Sequence, residues 1–568
     1  MFYMKKYLVL LLGLFMSFSM MAQVNDSEPE DPEPGSQEAW KSLKDPVVGW
    51  GSIDVRYPRS QVASFQKSLV LHAWKGERVS AQAVLSTPTD ITNMSFSVSD
   101  LKNGKNIISA DNVNKYFVRY VIADNLESRE AKILQADRLD NAPSMSVSAN
   151  TTRPIWLDIH VPATAKAGKY TGKLTVFFDT KKQELPFVLE VVDRTLPEPK
   201  DWAFHLDLWQ NPYAVARYYG NPLWSKEHFD SMRPIMKMLA NAGQKVITCS
   251  IIQHPWNGQT YDPFESMIAK MKQLDGSWKY DYTVFDKWVQ FMMDCGITEQ
   301  IDCYSLVPWH YKFDYYDCSS NSVKYINCKP DEKEYRDFVL PFLKDFAAHL
   351  KQKGWFDRTC IAMDERPMDQ LSAAYKIVKE ADPGYRIQGA ANFNVDEGTI
   401  GDQMYDLSVA FQFNLIEGKA LERRKANGQR LTFYTCCGPG RPNTFTFSDP
   451  AESAFLGWHS AAVGYNGYLR WAWCSWPAQP NQDSRFGNWP SGDTYLVYPG
   501  QSCIRLERLV EGIQYYEKIR ILRETANEKQ LAKLDALLEK FKFIEMPADL
   551  KMETLINEGK AVLKTIEK

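Results

Sequence analysis

Residues 45–195 alternate between hydrophobic and polar positions in short runs that glycine, proline and other turn residues separate. The segments LTVFF (174–178) and FVLEVV (187–192) show this alternation. A period of two places neighbouring side chains on opposite faces of a β-strand. Evenly spaced short strands with turn residues between them are typical of a β-sandwich. The pattern therefore predicts an N-terminal β-sandwich domain over residues 45–195.

From residue 203 the pattern changes, after the proline-containing linker TLPEPKDW (195–202), to strand-like apolar runs that alternate with helix-like runs. The strand-like runs are Ala203–Gln210, Lys245–Ile252, Thr298–Leu306, Thr359–Glu365, Arg386–Phe393, Leu407–Asn414, Leu431–Cys437 and Tyr468–Ser475. The helix-like runs include Glu227–Ala242, Tyr282–Cys295, Glu332–Lys353, Asp369–Glu380, Ile416–Asn427, Pro450–Val463 and Cys503–Thr525. Eight such repeats predict a (β/α)8 TIM barrel with long βα loops over residues 203–525.

The last residues, 526–568, are rich in Lys, Glu and Leu and predict a C-terminal helical tail that packs through an amphipathic face. The fold class expected from the whole pattern is thus multidomain. It consists of a β-sandwich, a (β/α)8 barrel and a helical tail.

The first residues have the pattern of a secretory signal peptide over residues 1–22. Lys5 and Lys6 precede the apolar run Leu8–Phe15, and Ala22 is a small residue at a cleavage point. The uncharged stretch that follows Lys6 is nearly long enough to span a bilayer, so an uncleaved anchor remains the alternative. With cleavage we expect a secreted or periplasmic protein without a stable membrane span.

The acidic, proline-rich residues 23–44 that follow the signal peptide are expected to form a linker, with a disordered spacer at 25–37. Composition is otherwise that of a soluble globular protein, with 44% hydrophobic residues, 24% charged residues and a net charge of −3. The absence of a basic excess argues against a nucleic-acid partner. Thirteen of the 17 Trp lie from Trp202 to Trp489, which suits a carbohydrate cleft as well as a core.

Active sites of TIM barrels lie at the carboxyl ends of the strands, so the residues there carry the functional signal. Trp, Tyr, Asn and Gln dominate these positions, which beside the acid pair of the fourth run are Asp207, Trp209, Asn211, His254, Trp256, Tyr304, Trp309, His310, Asn392, Asn394, Gln412, Asn414, Tyr434, Arg470, Trp471, Trp473 and Trp476. Aromatic faces stack on sugar rings and amides bind hydroxyls. No glycine-rich phosphate loop follows a strand, so we expect no cofactor.

A metal-dependent hydrolase is an alternative that the sequence supports weakly. His205 and Asp207 share one strand face, and His254 could join them. However, the chain has only eight His and no HExxH motif, so we expect no metal. A GxSxG nucleophile elbow is also missing. The adjacent Cys436 and Cys437 are expected to be a buried strand pair rather than a redox site.

Two adjacent carboxyl groups, Asp364 and Glu365, end the fourth strand-like run in the segment TCIAMDERP (359–367). One reading is an ordinary helix start, where acidic residues are favoured by the helix dipole. The other reading is catalytic, with the two pKa values pushed apart so that one group is an acid and the other an anion.

A retaining glycosidase usually needs a second carboxylate as nucleophile, commonly at the end of strand seven. That position holds Tyr434, and Glu417 after strand six is better placed to begin a helix. A substrate with a 2-acetamido group removes the need for this second carboxylate, because the carbonyl oxygen of the substrate itself can attack the anomeric carbon. The enzyme then needs one acid/base and one carboxylate that stabilises the acetamido group, which an acid pair can supply.

The chain resembles glycoside hydrolase family 123 over roughly residues 45–520. The resemblance rests on IAMDERP after strand four, on WKGERVSAQAVL and VPATAKAGKYTGKLTV in the sandwich, and on YLRWAWCSWP in strand eight. It implies an exo-acting, retaining β-N-acetylgalactosaminidase that releases terminal β-GalNAc from glycosphingolipid-type glycans by substrate assistance. At the matching positions, Glu365 would be the general acid/base, and Asp364 would orient and stabilise the acetamido group.

Further sugar contacts are inferred from strand-end position alone: Asn392, Tyr434, Trp471, Trp473, His254 and Trp309. Two alternatives to the GalNAc activity stay open beside the metal-dependent one. The first is a β-N-acetylglucosaminidase or other hexosaminidase with the same mechanism. The second is a non-catalytic glycan-binding protein on a barrel that has lost its activity.

Overall fold

A computed structural model describes residues 27–392, 398–413 and 418–567. The predicted signal peptide lies outside the described residues, and so do Phe393, Asn394, Asn414, Ile416 and Glu417. Within the described ranges the chain forms a sheet-rich N-terminal region, an eight-stranded parallel barrel and a C-terminal helical segment.

The N-terminal region is a β-sandwich of two sheets. Its strands are β1 (Val47–Gly51), β2 (Val70–Lys75), β3 (Arg78–Thr87), β4 (Ile91–Val98), β5 (Leu101–Asn103), β6 (Asn106–Ile108), β7 (Val113–Ala123), β8 (Ile133–Asp140), β9 (Met145–Val147), β10 (Thr151–His160), β11 (Gly168–Phe178) and β12 (Lys181–Thr195). One sheet has the order β1-β3-β10-β7-β8, and the other has β2-β12-β11-β4-β9, with β5 and β6 at its side. Side chains of both sheets share one core, including Trp50, Ile155, Leu174 and Leu189.

Part of the segment that we expected to be a disordered spacer packs against the sandwich. The carboxylate of Glu28 receives a hydrogen bond of 2.7 Å from the guanidinium of Arg153. Burial alone would raise the pKa of Glu28, but the charge of Arg153 holds that pKa below its ordinary value. The buried ion pair therefore keeps this acidic stretch on the domain surface.

The remaining strands belong to the barrel and to a small sheet beside it. They are β13 (His205–Leu208), β14 (Val246–Ser250), β15 (Ala269–Lys272), β16 (Trp278–Asp281), β17 (Gln300–Tyr304), β18 (Lys312–Asp317), β19 (Ser322–Asn327), β20 (Thr359–Met363), β21 (Arg386–Ala391), β22 (Asp406–Ala410), β23 (Arg430–Tyr434) and β24 (Gly467–Arg470). The barrel order is β13-β24-β23-β22-β21-β20-β17-β14. A parallel bridge between Leu206 and Gln244 brings its two edges together.

All eight strand-like runs that the sequence predicts correspond to a barrel strand. The strands are recognisable because both faces are covered, so that every residue of β14, β17, β20 and β22 is buried. The predicted and observed ends of the strands differ, however. The fourth run was expected to continue to Glu365, whereas pairing with β21 stops at Met363 opposite Gly389. Asp364 and Glu365 thus lie in the loop beyond the strand.

Eleven α-helices occur among the described residues. They are α1 (Pro212–Tyr219), α2 (Lys226–Asn241), α3 (Thr283–Asp294), α4 (Lys333–Lys353), α5 (Met368–Ala381), α6 (Ile400–Gln403), α7 (Lys419–Ala426), α8 (Pro450–Val463), α9 (Ile504–Thr525), α10 (Glu528–Leu538) and α11 (Met552–Ile566). Asn211, one of the strand-end amides, caps α1 by accepting hydrogen bonds from the amides of Tyr213 and Ala214.

The long βα loops after β14 and β17 contribute a four-stranded sheet of order β16-β15-β18-β19. This sheet lies beside the barrel, where Trp278 packs edge-on against Phe338 of α4 at 5.2 Å between ring centroids.

The C-terminal helices connect the barrel to the sandwich. Gly559 of α11 lies so close to Trp458 of α8 that a Cβ atom there would come within 2.8 Å of the indole ring. Near the end of the chain, Glu567 contacts His72 of the sandwich at 2.6 Å. Among residues 27–392, 398–413 and 418–567, no helix combines the length and hydrophobicity that a membrane crossing requires.

Candidate active site at the carboxyl ends of the barrel strands

A cleft of about 650 Å³ opens at the carboxyl ends of the barrel strands. Mostly aromatic, acidic and sulfur-containing side chains line it, together with one amide and two aliphatic residues: Trp209, Trp256, Gln259, Trp309, Asp364, Glu365, Ala390, Tyr434, Cys436, Cys437, Leu469, Trp471, Trp489 and Asp493. Both members of the acid pair line this cleft. They can share it because β20 ends at Met363, so the alternation of a strand no longer directs these neighbouring side chains to opposite faces.

Asp364 is the more buried member of the pair, with 8% of its surface exposed. Its Oδ2 accepts a hydrogen bond of 2.8 Å from the indole N–H of Trp309. The guanidinium of Arg366 lies 4.9 Å from the centroid of the same indole ring. Asp364 therefore sits where a hydrogen-bond donor and a nearby cation both favour an anion.

Glu365 is partly open to the cleft and contacts two polar side chains. The hydroxyl of Tyr434 donates a hydrogen bond to its Oε1. The amide of Asn392 donates to its Oε2 at 3.3 Å. Three residues from three barrel strand ends, β20, β21 and β23, thus come together around one carboxyl group.

Burial raises the pKa of both acids above the ordinary range of Asp and Glu. For Asp364 the hydrogen bond from Trp309 and the charge of Arg366 oppose this rise. For Glu365 the hydrogen bond from Tyr434 opposes it, whereas the neighbouring charge of Asp364 adds to it. The repulsion between the two groups favours a state in which only one of them is ionised.

Aromatic rings form much of the cleft wall. Trp209 and Trp256 lie 5.0 Å apart between centroids, and both contact Tyr304 of β17. Trp471 and Trp489 meet edge to face at 5.5 Å. Such rings supply the flat apolar surfaces that sugar-binding clefts use, while the few polar groups fix orientation.

A third carboxyl group in the cleft was not anticipated. Asp493 lies in the long loop between β24 and α9 and is fully buried. Its Oδ1 accepts hydrogen bonds from the guanidinium of Arg470 at 2.7 Å and from the indole of Trp471 at 3.2 Å. Arg470 ends β24 and is itself fully buried. Residues 471–503 form one long βα loop. Because active sites of TIM barrels are built from such loops, this position in the chain could have pointed to Asp493.

Two of the sugar contacts inferred from the sequence lie elsewhere. Trp473 is fully buried in the main hydrophobic core, because β24 ends at Arg470 and the expected strand does not continue to Ser475. His254 lines a neighbouring pocket with His310 and Lys312, and its ring lies 3.7 Å from Glu265. Tyr434, Trp471 and Trp309 line the cleft.

The adjacent cysteines are not the buried strand pair that we expected. β23 ends at Tyr434, before both residues, and Cys437 is exposed. Their sulfur atoms are 3.8 Å apart, and both thiols are free. They therefore belong to the cleft wall.

In the part of the chain that the structure describes, no three His, Cys, Asp or Glu side chains are arranged to hold a metal ion. His205, considered above as a possible ligand, instead contacts Asp406 at 3.0 Å inside the barrel. The side chains of the cleft offer carboxyl groups, a phenol, amides, two thiols and aromatic faces.

A barrel with a carboxyl pair at the end of its fourth strand and an aromatic cleft above it is an arrangement suited to a glycoside hydrolase. The model of the glycoside hydrolase 123 catalytic domain matches residues 209–522, and that of the glycoside hydrolase 123 N-terminal domain matches residues 50–177. The chain belongs to glycoside hydrolase family 123. No curated protein matches its sequence.

Among solved structures, the chain is similar to a family 123 glycoside hydrolase from Clostridium perfringens, studied for glycolipid glycan hydrolysis. The two are 27% identical, with a TM-score of 0.84, over 92% of this chain and 97% of that one. A β-D-glucuronidase from Dictyoglomus thermophilum is 9% identical over 78% of this chain and 68% of that one, with a TM-score of 0.30. The family assignment rests on the family models and the first structure.

Proposed function

We propose that this protein is an exo-acting, retaining β-N-acetylgalactosaminidase that works by substrate assistance. In the first step Glu365 donates a proton to the glycosidic oxygen while the acetamido carbonyl oxygen of the substrate attacks the anomeric carbon. The C–O bond to the leaving group breaks and an oxazolinium ion forms. In the second step Glu365 accepts a proton from water, which opens the ring with net retention.

The observation that carries this proposal is the placement of both acids in one cleft with a phenol, Tyr434, at the end of β23. Asp364 is held by the Trp309 indole in a buried position and suits the anion that orients the acetamido N–H and stabilises the cationic intermediate. Glu365 is more open to the cleft and suits the group that exchanges protons with the glycosidic oxygen and with water.

Asp493 is the other carboxyl group in the described part of the cleft and could be considered as a nucleophile. Its Oδ1 is engaged by Arg470 and Trp471, and the side chain has no exposed surface. A carboxylate that must form a covalent bond to the anomeric carbon needs an open approach to it. The acetamido oxygen of the substrate is therefore the better candidate.

The choice of GalNAc rests on the resemblance of the acid pair, the sandwich and strand eight to family 123. The glycolipid glycans hydrolysed by the similar Clostridium perfringens enzyme support a glycan with a terminal sugar as substrate. Asn392, Tyr434, Trp471 and Trp309 are proposed to contact that sugar. Export to the periplasm or the medium, based on the leader pattern of residues 1–22, is part of the same proposal.

The test is hydrolysis of aryl β-glycosides of GalNAc, GlcNAc and galactose by the purified protein. We expect turnover of the β-GalNAc glycoside, slower turnover of β-GlcNAc and none of the galactoside, which lacks the acetamido group. GalNAc-thiazoline, which mimics the cyclised intermediate, should inhibit competitively. A protein that is inactive on every β-hexosaminide overturns the proposal.

Two other outcomes of this test would redirect the proposal. Faster turnover of β-GlcNAc than of β-GalNAc would make the protein an N-acetylglucosaminidase with the same mechanism. Binding of GalNAc in calorimetry without any turnover would make it a glycan-binding protein.

A further inference from the structure

The adjacent cysteines of the cleft wall are a chemical group that the proposed mechanism does not use. Cys436 and Cys437 line the cleft together with Glu365 and Tyr434. Cys437 is exposed and Cys436 is partly exposed, and their sulfur atoms lie 3.8 Å apart. The sequence argued against a redox role only because it predicted a buried strand pair, and the structure removes that argument.

These two thiols differ from the other cysteines in their access to solvent. Of the remaining eight, seven are buried, and Cys318 is partly exposed and receives a contact of 3.7 Å from the side-chain amide of Gln273. Cys249 and Cys303 also contact each other, on the paired strands β14 and β17, but both are fully buried. That contacting pair is therefore closed to solvent, whereas the pair in the cleft is open to it.

The backbone around the two cysteines is held in place by buried polar contacts. The side-chain amide of Asn443, which is fully buried, donates hydrogen bonds to the carbonyl of Cys436 at 3.0 Å and to that of Pro439 at 2.6 Å. Arg470 in turn donates to the amide oxygen of Asn443 at 2.8 Å. This scaffold keeps the two thiols side by side on the cleft wall.

The two sulfur atoms are not equivalent. The hydrogen bond from Cys436 lowers the pKa of the Cys437 thiol below its ordinary value, although burial opposes this effect. The same contact, together with burial, raises the pKa of Cys436. Because the thiolate is the form that attacks a disulfide, the exposed Cys437 is the better attacking group and Cys436 is the better resolving thiol.

We propose that Cys436 and Cys437 form a reversible disulfide with each other, so that the cleft wall exists in a dithiol form and a disulfide form. The oxidant is a small-molecule disulfide, such as oxidised glutathione. The thiolate of Cys437 attacks one sulfur of the oxidant and releases the first thiol. The sulfur of Cys436 then attacks Sγ of Cys437 in the mixed disulfide and releases the second. The two hydrogen atoms that the protein loses appear on the two thiols formed from the oxidant.

Adjacency in the chain makes this bond easy to reduce again. The Cα atoms of neighbouring residues lie closer together than the Cα atoms of an ordinary disulfide. A disulfide formed under this constraint is more readily reduced. The pair therefore suits a reversible change of the cleft better than a permanent link.

The disulfide itself does not depend on the proposed function, whereas its effect on the substrate rests on that function. Closing the bond takes two freely rotating thiols out of the cleft wall. A wall that is already rigid loses less conformational entropy when a sugar binds. The disulfide form should therefore bind the sugar more tightly than the dithiol form does.

The first test is peptide mass spectrometry of the wild type after treatment with oxidised glutathione or with dithiothreitol, followed by alkylation with iodoacetamide in denaturant. Trypsin does not cut between Arg441 and Pro442, so its peptide 431–470 carries both cysteines and no others. After the oxidant, this peptide should lack two hydrogen atoms and take up no alkyl group. After dithiothreitol it should take up two.

Cys249 and Cys303 are the matched control in the same digest, since they contact each other without access to solvent. Both should be alkylated after either treatment. Cys436→Ser leaves Cys437 without its resolving thiol, so this variant should keep one glutathione as a mixed disulfide. If the oxidised wild type instead takes up two alkyl groups or carries two glutathione groups, the inference is overturned. Equal oxidation of both cysteine pairs would overturn the claim that access selects the pair in the cleft.

The second test compares the kinetics of the two forms on aryl β-GalNAc. The disulfide form should have a KM about threefold lower, with kcat within about twofold, because the change affects binding and not the proton transfers. In the double variant Cys436→Ser, Cys437→Ser, KM should not respond to the oxidant. A wild-type KM that does not respond to it overturns the effect on binding. A protein inactive in both forms overturns the proposed function instead, and the peptide masses then still decide whether the disulfide forms.

Discussion

Two groups of carboxyl side chains lie within the barrel or at the carboxyl ends of its strands, and they differ in what surrounds them. The inner group, Asp207, Asp302 and Asp406, belongs to the strands themselves and is closed off from the cleft. The outer group, Asp364 and Glu365, follows the end of β20 and lines the cleft. Both groups are buried acids, yet only the outer one meets the space that a substrate can enter.

The pKa values alone would not separate Asp207 and Asp302 of the inner group from the outer pair. Burial raises the pKa of Asp207 and of Asp302 well above the ordinary value for aspartate, just as burial raises the pKa values of the outer pair. In the inner group the amide of Gln300 donates to both Asp302 and Asp406 and so links the two carboxyl groups. A shifted pKa marks a functional site only together with access to ligand.

The largest expected effect is the loss of activity in Glu365→Gln. The amide keeps the shape of the side chain but cannot donate the proton, so kcat should fall about 10³-fold with a poor leaving group. The loss should be smaller with nitrophenolate, which needs little protonation to leave. Steady-state kinetics on both substrates checks this. Equal losses with the two leaving groups would contradict the acid role.

Asp364→Asn is expected to have the next largest effect, a fall in kcat of about 10²-fold for the β-GalNAc glycoside. Its amide oxygen can still accept from the Trp309 indole, so the fold should be kept. What is lost is the negative charge beside the developing oxazolinium ion. A variant with wild-type kcat would show that this charge does not contribute.

Tyr434→Phe should lower kcat about tenfold and also shift the pH profile. The hydrogen bond from Tyr434 lowers the pKa of Glu365, so removing it raises that pKa. Because Glu365 must be protonated to act as an acid, the alkaline limb of kcat/KM should move to higher pH. An unchanged or lower alkaline limb would contradict the contact between these two residues.

Asp302→Asn, in the inner group, should leave kcat within about twofold of the wild type, since it lies outside the cleft. Its effect should appear in stability instead. The pKa of Asp302 is raised in the folded protein. Above about pH 4, Asp302 loses its proton in the unfolded chain but still holds it in the folded protein. The free energy of unfolding therefore falls as pH rises. The variant should show a flatter dependence of unfolding free energy on pH.

If Asp302→Asn lost as much activity as Asp364→Asn, the functional distinction between the inner and the outer carboxyl groups would be wrong. Denaturant unfolding between pH 4 and pH 8, together with activity assays on the same samples, measures both quantities.

The barrel could be predicted from the sequence because its strands are buried on both faces and form continuous apolar runs, such as Cys360–Met363. The acid pair was predictable for the same reason, since it interrupts such a run at the end where barrel sites lie. The end of the strand itself was not predictable, because it depends on where pairing with β21 stops.

Trp473 and Asp493 show what the sequence could not provide. Trp471 and Trp473 would share a face if the strand continued, but β24 ends at Arg470, and only Trp471 lines the cleft. Asp493 reaches the cleft through a contact with Arg470, 23 positions earlier in the chain. Such a pairing leaves no periodic pattern in the sequence.

The central claim is that the acetamido group of the substrate is the nucleophile, and N-acyl fluorination tests it most directly. Each fluorine on the acetyl methyl group withdraws electrons from the carbonyl oxygen and weakens it as a nucleophile. For aryl β-GalNAc with zero, one, two and three fluorines, kcat/KM of the wild type should fall steeply with each fluorine. A rate that does not depend on the number of fluorines would contradict substrate assistance and point to a carboxylate nucleophile of the protein.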